Sequence, residues 1–101
     1  MSRTLVVRYE THPGTADENE RLVKQVFAEL AADDPGGLRY LTLRLADGVT
    51  FLHIATLEGE DNPLGRSAAF AAFQEGIGER CSVPPAPSQA TIVGSYGLAP
   101  E

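Results

Sequence analysis

A histidine within a run of alternating residues is the strongest candidate for chemistry in this sequence. His53 lies in the stretch from Leu38 to Leu57, LRYLTLRLADGVTFLHIATL, with Thr42 expected opposite it on the neighbouring strand. Because the usual pKa of histidine, about 6.5, is close to neutral pH, His53 could take a proton from a phenol. His53 is therefore a candidate general base. A histidine whose hydrogen bonds are simply satisfied within an interface is the alternative.

Other polar and aromatic side chains are expected on the same face of the sheet as His53. Arg8 and Arg44 carry positive charge that could hold a developing anion, which makes them, with His53, the candidate catalytic residues. The candidate substrate-binding residues are those that could stack on an aromatic ligand or orient it. They are Tyr40, Phe51, Thr42 and Glu10. Charge pairing and ring packing across an interface between two copies is the alternative for all of these.

The sequence contains no pattern typical of a metal site or of a nucleophile. His12 and His53 are the only histidines, and no carboxylates cluster with them on a common element. Cys81 is the single cysteine, so no internal disulfide can form, and its one basic neighbour is Arg80. We therefore expect neither a metal ion nor another cofactor.

Two strands joined by a tight turn must position the candidate residues. Asp47-Gly48 between two alternating runs predicts a β-hairpin with a two-residue turn, and pairing Ala46 with Val49 fixes its register. Alternation then gives the hairpin a leucine face, which we expect the helices to cover, and a mixed face, which we expect to line a cavity or an interface. The leucine face consists of Leu41, Leu43, Leu45, Leu52 and Ile54. The mixed face consists of Tyr40, Thr42, Arg44, Phe51, His53 and Ala55.

Apolar periodicity and chain-breaking residues divide the rest of the chain into two strands and two helices. The expected strands are Thr4 to Glu10 and Gln89 to Tyr96, and the expected helices are Thr15 to about Ala32 and Pro63 to Arg80. Thr15 and Glu18 match a capping box at the start of the first helix. The prolines between Val83 and Pro87 predict an extended connector before the last strand.

The order β-α-β-β-α-β over residues 1–101 predicts a single α+β domain with a ferredoxin-like fold. Right-handed crossovers give a four-stranded antiparallel sheet of strand order 4-1-3-2, with both helices on one face. The first strand is expected to present Leu5 and Val7 to the helices, and Val6, Arg8 and Glu10 to the mixed face. Since the mixed face is too apolar to be left in water, we expect a homodimer that buries it.

Charge and composition narrow the classes of partner. The net charge is −6, with 14 acidic and 8 basic residues, which argues against nucleic acid or an anionic membrane as a partner. RNA-recognition modules share this topology, but the strand VTFLHIATL lacks their aromatic motif. No apolar run is long enough for a secretion signal or a membrane span, so we expect a cytoplasmic protein.

Three segments together resemble antibiotic-biosynthesis-monooxygenase-type domains, which are dimeric α/β barrels. The segments are Pro13-Gly14, the entry into the second strand from Asp34 to Tyr40, and the helix from Ser67 to Phe73. The resemblance spans nearly the whole chain and implies a homodimer with a ligand pocket.

The characterised members of this family include cofactor-free monooxygenases acting on quinols or polycyclic phenols, and haem-degrading enzymes. The haem-degrading branch has a tryptophan and a haem-ligating histidine in its second helical region. This chain has no tryptophan and no histidine between Pro63 and Arg80, so haem is not expected. The resemblance thus predicts a cofactor-independent monooxygenase for a small aromatic or quinol-type molecule. A non-catalytic dimer that binds a small ligand or serves as a scaffold is the alternative.

Overall fold

The computed structural model of the protein describes residues 2–97. Its strands are β1 (Ser2–Thr11), β2 (Leu38–Arg44), β3 (Thr50–Glu58) and β4 (Cys81–Ala90). Its α-helices are α1 (Ala16–Asp33), α2 (Ala68–Gln74) and α3 (Ile77–Arg80), and short 3-10 turns cover Pro13–Thr15 and Pro63–Arg66. None of the helices within this part of the chain is long and apolar enough to cross a membrane.

The four strands form one antiparallel sheet in the order β2-β3-β1-β4, with the helices on one face. This confirms the ferredoxin-like α+β fold and its predicted strand order. The predicted hairpin register is also confirmed, since Thr42 pairs with His53 and Arg44 pairs with Phe51. β1 and β3 are the two central strands of the sheet, and the helices lie over them.

The turn of the β2–β3 hairpin differs from the predicted two-residue type. Gly48 has a positive φ of 81°, whereas Asp47 does not have a left-handed backbone, so the strands end earlier and a longer loop joins them. The Asp47 carboxylate accepts hydrogen bonds from the backbone N–H groups of Val49 and Thr50. Asp47 therefore stabilises the loop through its side chain, as aspartate commonly does in turns.

The prediction of which hairpin face the helices cover is wrong. β1 pairs Tyr9 with Phe51 and Val7 with His53, so the mixed face points at the helices. The side chains of Tyr9, Phe51 and His53 are only 1%, 1% and 5% exposed. The leucine face lies on the outer side of the sheet, where Leu41 is 49% and Leu43 is 40% exposed.

The physical reason is that the polar atoms of the mixed face satisfy one another. Hydrogen bonds between Tyr9, His53 and Tyr40 remove the cost of burying these groups, and aromatic rings bury more apolar area than leucines do. In β1, Leu5 and Val7 face the helices as expected. Consequently Arg8 and Glu10 lie on the same outer side as the leucine face, opposite His53.

The start of α1 does not contain the predicted capping box. The Thr15 hydroxyl makes no cap to the helix but donates to the backbone carbonyl oxygens of Arg80, at 2.8 Å, and His12, at 3.2 Å. Thr15 thereby joins the beginning of α1 to the end of α3. The predicted end of the helix near Ala32 agrees with the observed end at Asp33.

The second helical region is divided, where the sequence suggested one helix with irregular ends. Ser67 caps α2 by accepting a hydrogen bond from the Phe70 N–H, and its hydroxyl donates to the Glu29 carboxylate of α1. Gly76, with a φ of 76°, separates α2 from α3. Phe73 of α2 and Ile77 of α3 both line a cavity against the sheet.

The last strand is also placed differently from the prediction. The proline-containing segment predicted as a connector forms most of β4, whereas residues 91–97 lie outside the strand. β4 is an edge strand, and its register shifts between Arg8 and Glu10 of β1, opposite Pro84 and Pro85. Edge strands and bulges are the places where a sheet tolerates proline, because a missing N–H breaks no ladder there.

Candidate active site

A cavity of about 390 Å³ lies between the sheet and the segment from residue 62 to residue 77. Its size falls within the usual range for small-molecule sites, roughly 300–1,000 Å³. Among its lining residues in the described chain, none is Asp, Glu, Lys or Arg. Most of the lining side chains are aliphatic or aromatic, among them Val7, Tyr9, Tyr40, Phe70 and Phe73, and besides the tyrosines the polar ones are His53, Asn62 and Gln74. The cavity therefore suits an uncharged, largely apolar ligand.

His53 is the polar centre of this cavity wall and is bound at both ring nitrogens. Its Nε2 lies 2.8 Å from the Tyr9 hydroxyl, and its Nδ1 lies 2.6 Å from the Tyr40 hydroxyl. The Thr42 hydroxyl approaches Nδ1 at 3.3 Å. The pairing of β3 with β1 and β2 places these partners on either side of the imidazole.

A chain of buried polar groups extends from Tyr9 into the helices. The Asn19 amide nitrogen donates to the Tyr9 hydroxyl at 2.8 Å, and the Arg80 Nε donates to the Asn19 amide oxygen at 3.1 Å. Arg80 is only 6% exposed and also donates to the backbone carbonyls of Phe73 and Glu75. The series Arg80–Asn19–Tyr9–His53–Tyr40, hereafter the buried chain, thus connects the end of α3 to the cavity.

Burial shifts the pKa values of the titratable groups in this wall. It lowers the pKa of His53 to about 4, so the imidazole is neutral at neutral pH. Burial raises the pKa of Tyr40 to about 12, against a smaller lowering by the Thr42 hydroxyl. Burial likewise raises the pKa of Tyr9 well above its usual range, although the bond from Asn19 acts in the opposite direction.

Aromatic packing fixes the positions of the rings around His53. The Phe27 ring of α1 stacks on Tyr40 at a centroid distance of 4.9 Å, and Tyr9 stacks on Phe51 at 5.5 Å. The Phe73 ring lies 5.3 Å from the imidazole. The phenol groups therefore have little freedom to rotate away from His53.

Three of the residues proposed from the sequence come together at the cavity wall. His53 and Tyr40 line the cavity, and Thr42 stands beside them. Phe51 lies in the core beneath Tyr9 and is not a lining residue.

The charged candidates lie elsewhere. The Arg44 guanidinium binds Asp17 and Glu20 of α1, at 3.1 Å and 2.6 Å. Arg8 and Glu10 form a loose ion pair at 3.6 Å on the outer side of the sheet. The structure does not bring these three side chains to His53.

Four members of the site were not predicted from the sequence, namely Tyr9, Asn19, Arg80 and Phe73. Asn19 stands four positions before Val23 on the buried stripe of α1, so a polar residue at a core position was a readable signal. Tyr9 alternates with Val7 on the strand face that was correctly assigned to the helices. No local pattern marks Arg80, because its partner Asn19 is 61 residues away in the chain.

The described residues 2–97 contain no group of three or more His, Cys, Asp or Glu side chains arranged to hold a metal ion. Cys81 is buried as a free cysteine, and burial raises the pKa of its thiol. Within this part of the chain the polar chemistry next to the cavity is thus that of phenol, imidazole and amide groups.

Comparison with solved structures identifies the fold. Rv0793 from Mycobacterium tuberculosis aligns with a TM-score of 0.75 and 18% identity, over 96% of this chain and 100% of its own. A candidate antibiotic biosynthesis monooxygenase from Caulobacter crescentus aligns with a TM-score of 0.73 and 18% identity, over 92% and 91% of the two chains. SnoaB, a cofactor-independent oxygenase from Streptomyces nogalater, aligns with a TM-score of 0.64 and 20% identity, over 96% and 98%.

No protein-family model matches the chain, and no curated protein sequence matches it. The structural neighbours nevertheless cover almost the whole chain. The chain therefore has the fold of antibiotic-biosynthesis-monooxygenase-type proteins, which confirms the fold that the resemblance implied.

Proposed function

We propose that this protein is a cofactor-independent monooxygenase that oxidises a small, neutral aromatic molecule of the phenol or quinol type. The observation that carries the proposal is the buried His53, held between two phenols at the wall of a largely apolar cavity of about 390 Å³. The fold supports it, since SnoaB, a cofactor-independent oxygenase, has the same fold.

Tyr40 is the group that we assign to the substrate oxygen. It lines the cavity and is held by His53 and by the stacked ring of Phe27. A fixed hydrogen-bond donor in a low-dielectric cavity stabilises an oxygen that becomes negatively charged more strongly than water does. Tyr40 would therefore favour ionisation of a phenol, or of the ketone that is its tautomer.

His53 supports Tyr40 in this scheme rather than acting as a strong base. A pKa of about 4 makes the imidazole a poor acceptor for a phenol proton, whose usual pKa is about 10. Both ring nitrogens are already engaged by Tyr9 and Tyr40. The base role expected from the sequence assumed an ordinary histidine pKa, which the burial of His53 removes.

The reaction balances without an external reductant when the substrate supplies all four electrons. A cyclic ketone with an acidic CH2 group loses one proton to a hydroxide ion from the solvent and forms an enolate, whose oxygen Tyr40 stabilises; the later protonation of the peroxide by water restores the hydroxide. The enolate passes one electron to O2, and the two radicals combine to form a carbon–oxygen bond. Protonation gives a hydroperoxide, and loss of water together with the second C–H proton leaves a new C=O. One oxygen atom thus enters the product and the other leaves as water.

Oxygen consumption with anthrone tests the proposal. Anthrone is a tricyclic ketone whose enol is a phenol, and one O2 converts it to anthraquinone and water. We expect the protein to accelerate O2 uptake above the rate in buffer, and Tyr40→Phe to lower the acceleration by about 100-fold, as removal of an oxyanion donor typically does.

Tyr96→Phe is the matched control, because Tyr96 is 99% exposed and distant from the cavity residues in the chain. Equal rates with and without the protein would reject anthrone-type oxygenation. Binding of anthrone without any O2 uptake would instead assign the cavity to the non-catalytic ligand-binding alternative.

We also propose that two copies associate through the leucine face. Leu41, Leu43 and Val83 expose large apolar side chains on the outer side of the sheet, where Leu52 and Ile54 are only half-buried. Large exposed apolar side chains grouped on one face of a small domain are typical of an interface. We therefore still propose a homodimer, but its interface is the leucine face of the hairpin and not the mixed face that the sequence suggested.

A further inference from the structure

The buried chain begins with a group that can only donate. The guanidinium of Arg80 has no acceptor atom, so the Asn19 atom that receives its Nε–H must be the amide oxygen. This fixes the orientation of the amide, and the Asn19 nitrogen necessarily faces Tyr9. The Tyr9 oxygen therefore accepts a hydrogen bond from Asn19.

The next link follows from the single hydrogen of the Tyr9 hydroxyl. Tyr9 is 1% exposed, and the partners that surround its hydroxyl are Asn19 and the Nε2 of His53. If Nε2 also carried a hydrogen, the Tyr9 oxygen would accept twice and its own hydrogen would have no acceptor among the side chains that bind its hydroxyl, which is costly for a buried group. Nε2 is therefore the acceptor, and the one proton of the neutral imidazole resides on Nδ1.

The last link reaches the cavity. Nδ1–H faces the Tyr40 hydroxyl at 2.6 Å and Thr42 at 3.3 Å, so the Tyr40 oxygen accepts from His53. With its oxygen receiving the bond from His53, Tyr40 has its own hydrogen left to donate into the cavity that its ring lines.

We propose that Arg80, Asn19 and Tyr9 are positioning residues that hold His53 as its Nδ1–H tautomer and thereby make Tyr40 a hydrogen-bond donor to the ligand. The cavity then selects aromatic ligands that present an oxygen acceptor, such as a ketone or a phenolate, over hydrocarbons of the same shape. This ligand preference rests on the proposed function for the cavity, whereas the tautomer does not.

Asn19→Asp is the variant expected to reverse the direction of the hydrogen bonds between Tyr9, His53 and Tyr40. A carboxylate beside Arg80 accepts from the guanidinium and also from the Tyr9 hydroxyl, so Tyr9 would turn its hydrogen away from His53. The Tyr9 oxygen would then accept from Nε2–H, and Nδ1 would accept from Tyr40. Tyr40 would lose its free hydrogen although its position is unchanged.

The tautomer is measurable without ligand or turnover by ¹⁵N NMR of the histidine ring nitrogens. We expect the Nδ1–H form of His53 in the wild type and the Nε2–H form in Asn19→Asp. The matched variant Tyr40→Phe removes the last hydroxyl of the buried chain but leaves Arg80, Asn19 and Tyr9 in place. We therefore expect it to keep the Nδ1–H form. An Nε2–H tautomer in the wild type would overturn the proposal, whether or not the variants fold.

Ligand selectivity is measured with 1-tetralone and tetralin, two bicyclic probes that differ by one carbonyl group. We expect the ratio of their affinities to fall by about 3- to 10-fold in both Asn19→Asp and Tyr40→Phe, the effect of losing one neutral hydrogen bond. An unchanged ratio in both variants would refute the donor role of Tyr40. Failure of both probes to bind the wild type would refute the proposed function of the cavity, and the NMR result would still decide the tautomer.

Discussion

Lowering the pH should destabilise the protein through His53 before the carboxylates are protonated. The pKa of His53 is about 4 in the folded state because of burial, against 6.5 for the free side chain. Between these two values the unfolded chain binds more protons than the folded one, so the free energy of unfolding decreases as the pH falls. The stabilisation is complete above about pH 6.5 and is lost progressively toward pH 4.

The magnitude follows from the same two pKa values. The whole difference between the folded and unfolded pKa values corresponds to about 3 kcal/mol of stability. The free energy of unfolding at pH 5 should therefore be about 2 kcal/mol lower than at pH 7.5. His53 is 5% exposed, so little screening by solvent reduces this figure. Urea unfolding at pH 7.5 and pH 5.0 measures the loss directly.

Two variants separate His53 from every other titrating group. In His53→Gln, the decrease in the free energy of unfolding between pH 7.5 and pH 5.0 should be about 2 kcal/mol smaller than in the wild type. The carboxylates are the same in both proteins, so their contributions cancel in the comparison. His12→Gln removes the other histidine, which is exposed, and should retain the wild-type loss. Equal losses in the wild type and His53→Gln would refute the conclusion that the buried imidazole is neutral.

Two further predictions concern the elements that frame the cavity and the outer face of the sheet. Ser67→Ala removes both the cap of α2 and the bond to Glu29, so the free energy of unfolding from urea titration should fall by about 1–2 kcal/mol, and an unchanged value would contradict the capping role. Leu43→Asp places a charge on the leucine face and should convert a dimer to a monomer in native mass spectrometry. Ala28→Asp, which adds the same charge at an exposed position of α1, should not change the mass, and a wild-type monomer at micromolar concentration would contradict the proposed interface.

The strand order could be predicted from the order of the elements and the handedness of their connections, and the hairpin register from local signals. The turn around Gly48 set the hairpin register even though the turn type was different, and alternation therefore placed Thr42 opposite His53 correctly. Which face of the hairpin was buried could not be read in this way. Both faces carried apolar side chains, and the burial of Tyr9 and His53 depended on partners in other elements.

The buried chain illustrates the limit of reading chemistry from local patterns. In the sequence, Arg80 stood out only as the basic neighbour of Cys81, and no role was predicted for Asn19. Only the fold brings Arg80 Nε within 3.1 Å of the Asn19 oxygen, and Asn19 within 2.8 Å of Tyr9. Burial then moves the pKa of His53 to about 4, a shift that depends on what packs over the sheet.

The most direct test of the central claim is the fate of O2 during anthrone oxidation. With ¹⁸O2, the account predicts that the protein produces anthraquinone with one ¹⁸O atom per molecule, the other atom appearing in water, and that Tyr40→Phe slows this labelling by about 100-fold. Mass spectrometry of the product measures both the label and the rate. Labelled anthraquinone formed no faster than in buffer, or O2 recovered as hydrogen peroxide with no label in the product, would contradict the assignment of the cavity as a monooxygenase site.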